Sequence, residues 1–201
     1  MRKCICLVLV VLIIAYAFGL VRDLSVLQNH LIRLHVVGAS NHSEDQTLKL
    51  QVKDAVVNQL SQALGDAQTT EEALALLETM IPQIRDLAES VIREQGSEES
   101  VEIMLGKEAF PKREYDTFSL PAGVYQSLRI RIGDAEGRNW WCVVFPSLCL
   151  PSTVEDLRDT AAGAGFSQEL NATVTGEPAY EIRFFLLDLL GQIQNLWFGG
   201  N

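Results

Sequence analysis

The residue types able to do covalent chemistry are few in this chain. Past the first residues the thiols are Cys142 and Cys149, and the imidazoles near a predicted strand and helix are His35 and His42. A thiol beside an imidazole and an acid makes a nucleophilic set, the imidazole taking the thiol proton. His35 falls at an alternating position of a predicted strand, where a structural histidine is the commoner outcome. His42 precedes a predicted helix, whose positive end disfavours an imidazolium. A secreted cell-wall or thiol-dependent hydrolase using Cys142 therefore stands as the alternative reading, and the leading reading is a protein that is not an enzyme. There is no G-x-S-x-G, H-E-x-x-H or phosphate-cradling glycine run. No second cysteine pair or histidine cluster completes a four-ligand zinc set, and no cofactor or small-molecule substrate is implied.

The chain opens on an address. Met1-Arg2-Lys3 is positive, Cys4 to Ile14 is an unbroken apolar run, and Ala15-Tyr16-Ala17 has the small-x-small form of a cleavage site. Residues 1–17 read as a signal peptide cut after Ala17. The rival is an uncleaved anchor to about residue 21, since Phe18, Leu20 and Val21 prolong the run. Either way the bulk of the protein leaves the cytoplasm. Cys142 and Cys149 are then an even pair in an exported domain, for which a disulfide is expected if Pro146 turns the chain back. Two separate buried thiols are the alternative. The formal net charge is −10, and losing Arg2 and Lys3 with the leader makes it more negative. Such a chain is repelled by nucleic acid and by anionic headgroups, which leaves the N-terminal segment as the route to a membrane.

The elements that must position these residues follow from periodicity. Residues 18–30 read as a connector and 31–150 as the domain. Ile32 to Val37 alternates as a strand, with Arg33 and His35 opposite Ile32, Leu34 and Val36. Capping boxes at Ser43/Gln46 and Thr69/Glu72 open two amphipathic helices, the second interrupted by Pro82 and ended by Gly96. Val101 to Leu105 and Val124 to Ile132 alternate as strands, the latter turning Arg129 and Arg131 outward. Gly133 to Gly137 looks like a turn into the strand Trp140 to Phe145, predicting an antiparallel hairpin with an interior Trp strand. Residues 151–178 read as a mobile linker. In 179–201, Tyr180, Ile182 and Phe184 suggest a last strand. Leu186, Leu189, Leu190, Ile193, Leu196 and Trp197 suggest an amphipathic helix packed on the domain. The sum is α+β: a mixed or antiparallel sheet with helices mainly on one face, behind an N-terminal signal segment.

Adjacent on one strand, Trp140 and Trp141 must point to opposite faces. One ring is expected in the core and the other, by preference Trp141, on an open binding face with Asn139 and Phe145. Arg33, His35, Arg129 and Arg131 are expected to share an outward face suited to an acidic partner, with a solvated sheet face as the alternative.

Three patches of this sequence resemble the stage II sporulation protein R family. The first runs from Ile32-Arg33-Leu34-His35-Val36-Val37 through Ser40-Asn41 to Lys49 and Val52-Lys53-Asp54-Ala55-Val56. The second is Leu120-Pro121-Ala122-Gly123-Val124-Tyr125-Gln126-Ser127-Leu128. The third is Gly137-x-Asn139-Trp140-Trp141-Cys142-Val143-Val144-Phe145-Pro146-x-Leu148-Cys149. Gly38-Ala39 and Ser147 depart from the residues more usual there. The resemblance implies a protein exported from the forespore into the space between the two sporulation membranes. It implies a partner as well, a membrane-embedded aspartyl protease of the mother cell that processes a pro-sigma factor once signalled.

Overall fold

The computed structural model describes residues 2–146 and 166–198. By contacts the chain divides into two units. The first comprises Met1–Asn29, Ala109–Val124 and Thr153–Asn201; the second comprises His30–Glu108 and Tyr125–Ser152.

The second unit is a sheet with two helices on it. Its strands are β1 (Ile32–Val37), β2 (Val101–Phe110), β5 (Gly123–Ile132) and β6 (Asn139–Phe145), in the order β2-β5-β1-β6. β1 runs parallel to β5 and antiparallel to β6, so the sheet is mixed. Alternation sends Ile32, Leu34 and Val36 of β1, Leu128, Ile130 and Ile132 of β5, and Cys142 and Val144 of β6 to one side. There they meet α2 (Ser43–Ala63) and α3 (Thr70–Glu94) in one apolar core. Leu48, Val52, Val56 and Leu60 of α2 and Leu77, Ile84 and Ala88 of α3 fill it, as their helical spacing predicts. Thr69 caps α3 as expected, its side chain accepting from Glu72 N, and the helix runs on through Pro82. The Ser43/Gln46 box does not form. His42 is the N-cap residue without a side-chain cap bond, and Gln46 Nε2 instead donates to Ser40 O at 2.7 Å.

The predicted β5–β6 hairpin is not there. β1 lies between those two strands, and β6 is the edge strand among the described residues. The intervening loop crosses the end of β1: Glu136 N donates to Ala39 O and Gly137 N to Gly38 O, each at 3.0 Å. A Cβ on residue 137 would sit 2.3 Å from Ser40 O, so glycine is needed for this approach.

The first unit begins with α1 (Arg2–His30), one continuous helix through the stretch expected to be a connector. Its segment Lys3–His30 is long and apolar enough to cross a membrane, with mean hydropathy 3.1 in its most apolar window. Leu20, Leu24 and Leu27 are buried, so this stretch of α1 is packed rather than a loose connector. Next come a small hairpin of β3 (Arg113–Glu114) and β4 (Ser119–Leu120), with Tyr115 stacked on Phe118 at 4.5 Å. The described part of the expected linker contains a helix, α4 (Gln168–Val174), capped by Ser167. The expected strand at Tyr180–Phe184 is helical: a 3-10 turn at Pro178–Tyr180 leads into α5 (Glu181–Phe198). Pro at the start of the turn and a Leu-rich run favour helix over strand.

Candidate functional site

The sheet face turned away from α2 and α3 carries a polar network. Alternation places His35 of β1 beside Arg129 of β5 and Trp141 of β6, and Arg33 beside Ser127. Glu108 of β2 is the hub. His35 Nδ1 donates to Glu108 Oε1 at 2.7 Å, and Ser127 Oγ donates to Glu108 Oε2 at 2.8 Å. Arg129 Nη1 stands 3.6 Å from Glu108 Oε1. The second His35 nitrogen, Nε2, lies 2.9 Å from Asn139 Oδ1, and the ring packs against Trp141 with centroids 5.4 Å apart. Burial alone would push the Glu108 carboxyl up. The His35 hydrogen bond and charge outweigh it, with help from Ser127 and Arg129, and hold the carboxyl below its usual range.

This arrangement orients rather than activates. Ser127 donates to a carboxylate, not to the imidazole, and both imidazole nitrogens are engaged. Cys142 projects into the helix-side core, where it is buried, while His35 lies on the opposite face. The thiol–imidazole pair considered from the sequence is therefore separated by the sheet. Cys149 lies outside the described residues, and so does its expected bond to Cys142.

Several sequence-predicted site residues are placed differently. Arg33 is fully buried, its guanidinium 4.9 Å over the Tyr125 ring, and His35 is buried too. Every position of β1 is buried, because β1 is an interior strand covered on both faces. Phe145 is buried in the core and offers no surface. Arg129 and Arg131 do reach solvent, but Arg131 pairs with Glu102 at 2.8 Å and Arg129 faces Glu108. The expected open cationic face is thus a neutralised one.

Neither Trp is core. The rings do take opposite faces, but Trp140 is the more open at 39% exposure, and Trp141 is half-buried against His35. Trp140 lies at the solvent end of edge strand β6 and is roofed by Lys53, whose Nζ stands 4.7 Å from the ring centroid. Beside it Lys49 Nζ donates to Arg138 O at 2.9 Å and to Gln46 Oε1 at 2.7 Å. Burial, and then the Arg138 charge, pull the Lys49 ammonium below its ordinary value. Sequence reasoning missed Glu108, Ser127 and Lys53 as members of the site. For Glu108 the available signal was a strand continuing past Gly106, with Glu102, Met104 and Glu108 in phase.

The first and third sequence patches meet here: Gly137 bonds Gly38, Arg138 bonds Lys49, and Trp140 lies under Lys53. The family described as stage II sporulation protein R matches residues 28–155, well over half of the chain. The chain belongs to the stage II sporulation protein R family. The stage II sporulation protein R of Bacillus subtilis (strain 168) is 27% identical over 186 residues, covering 84% of this chain and 83% of that protein. No solved structure matches the chain. The family match begins near the end of α1 and takes in the whole sheet unit and the β3–β4 hairpin. The polar network and the Trp140 edge both lie inside it. A sporulation role follows from this membership.

Proposed function

We propose that this chain is an exported sporulation signal. It leaves the forespore through the apolar N-terminal segment and activates a membrane-embedded aspartyl protease of the mother cell in trans. The protease then processes a pro-sigma factor. The observation that carries this reading is the family match over residues 28–155. The membrane-length helix at the N-terminus supports export, and the orienting character of the polar network suits a binding role. The test is co-expression with the protease and its sigma precursor in a non-sporulating host. Precursor cleavage that depends on this chain is expected, and none above background would reject the proposal.

The partner surface we assign is the Trp140 edge with Lys53 and the neighbouring Trp141 ring. An exposed aromatic ring roofed by a lysine ammonium suits the centre of an interface. Trp140→Ala should lower precursor cleavage by about thirtyfold, the equivalent of about 2 kcal/mol at an interface hot spot. Its thermal midpoint should stay near the parent's, because the ring is largely outside the core. A Trp140→Ala chain that folds and signals normally would remove this edge from the interface.

We further propose that Cys142 is bonded to Cys149. Cys4 and Cys6 are the free cysteines among the described residues. Thiol titration of unfolded, unreduced protein should therefore count only the leader cysteines. Cys142→Ser and Cys149→Ser should each cost about 2–4 kcal/mol, with no further loss in the double variant. Additive losses would mean two independent thiols.

A further inference from the structure

α5 is amphipathic in the reverse sense for a helix exposed to water. Arg183, Asp188, Gln194 and Asn195 turn into its own unit, while Glu181 and Gln192 stay exposed. Asp188 Oδ1 accepts from Ala122 N at 2.8 Å, and Asn195 Nδ2 donates to Phe110 O at 2.8 Å. Arg183 grips Asp23 of α1 through two nitrogens, at 3.1 and 2.5 Å, and Gln194 Oε1 accepts from Gln28 of α1 at 2.5 Å. The outer face holds Ile182, Phe185, Leu189, Ile193 and Leu196, spaced i, i+3, i+7, i+11 and i+14, with Trp197 beside them. All six are between 42% and 79% exposed. The charged residues of α5 are Glu181, Arg183 and Asp188, and none interrupts that stripe. The Leu189–Ile193–Leu196–Trp197 side, expected from periodicity to pack on the domain, is the outward one.

What covers the stripe is indicated by α1. Arg183 holds α1 at Asp23, two residues beyond Val21, where the exposed apolar run of α1 ends. The bonds to Asp23 and Gln28 tie α5 to the helix that is long and apolar enough to cross a membrane, just past its apolar run. α5 is therefore held against the stretch of α1 that directly follows its exposed apolar run. We infer that α5 is a second membrane contact: its Ile182–Trp197 stripe lies in the acyl-chain boundary of the bilayer that receives α1. Aromatic residues such as Trp197 and Phe185 suit that depth. The contact is apolar rather than electrostatic, because the stripe has no Lys or Arg and the chain is acidic. Zwitterionic lipid serves as well as anionic lipid, and salt does not release it. This inference rests on the reading of α1 as a membrane segment.

The test uses the full chain reconstituted into phosphatidylcholine vesicles, with and without bromine on the acyl chains. Flotation reports membrane attachment as a whole. The Trp197 signal is the difference between the parent and Trp197→Phe. Brominated lipid should quench most of that difference signal. Quenching should persist at about 1 M salt, where the Debye length falls to about 3 Å. The triple variant Ile182→Gln/Phe185→Gln/Ile193→Gln should still float but lose the lipid quenching at Trp197. A floating parent whose Trp197 answers only to aqueous acrylamide would overturn the inference and leave the α1 reading intact. A Trp197 shielded from both quenchers, with chemical cross-links between chains, would also overturn it and assign the stripe to a second copy. A parent that fails to float would reject the α1 reading and this inference with it.

Discussion

A Gly191→Val chain is expected to lose the packing of α5 on its own unit and about 3 kcal/mol or more of stability. Helix propensity alone predicts the opposite sign, since replacing a mid-helix glycine by alanine is worth about 1 kcal/mol in favour of the helix. Geometry decides against it. A Cβ at position 191 would stand 1.7 Å from Ala122 O and 2.4 Å from its carbonyl carbon, and a backbone carbonyl cannot swing aside as a side-chain tip can. Relief requires α5 to move outward. That motion breaks the buried bond from Ala122 N to Asp188 and the bond from Asn195 to Phe110 O, and it uncovers Leu187, which is fully buried. Gly191→Ala should show the same loss in smaller measure, because its Cβ meets the same carbonyl. The measurements are urea unfolding and protease cleavage within 181–198. Unchanged stability and an α5 still protected in the valine variant would mean that Ala122 can retreat, and the tight α5 contact would not be a structural necessity.

The same glycine explains part of what the sequence concealed. The periodicity of Leu186 to Trp197 is that of a helix, and α5 spans those residues. Which side faced inward was not in the periodicity. A stripe of leucines looks like a core face unless a close backbone approach claims the other side. Gly191 in mid-helix, with Asp188 one turn before it, was the local sign of such an approach. The core of the sheet unit was legible for the usual reason: Leu34, Ile130 and Val144 alternate, Val52 and Ile84 recur at helical spacing, and both patterns agree on one buried side. Strand order was not legible. Gly133 to Gly137 suits a hairpin turn equally well whether β5 and β6 pair or stand apart, and the strand that separates them lies about a hundred residues earlier. The burial of β1 on both faces then carried Arg33 and His35 inside, where alternation alone had put them on a surface. Glu108 is not legible in the sequence because Gly106 breaks the apolar rhythm of β2 before the strand ends.

Glu108→Gln should remove the acid sensitivity that the polar network gives the fold. Glu108 is a carboxylate held below its usual range, so the folded chain binds fewer protons there than the unfolded chain. Stability from this group is fully present above the ordinary value of 4.5 and is lost as pH falls through the lower, folded value. Glutamine keeps the shape and one hydrogen bond but removes the charge facing His35 and Arg129. Near neutral pH the substitution should cost about 1.5–3 kcal/mol, the range for hydrogen bonds to a charged group. Below that lower, folded value the parent carboxyl is itself neutral, so the gap between the two proteins should close. Glu102→Gln is the comparison: its bridge to Arg131 is solvent-exposed and should be worth about 0–1 kcal/mol. Urea unfolding across a pH series separates the cases. Parent and Glu108→Gln curves that run parallel through the acid range would mean that Glu108 is not the hub. His35 and Trp141 would then be held by packing instead. If they converge, the same variant should also weaken signalling through Trp141, since the His35 ring that Glu108 orients is the surface against which that indole rests.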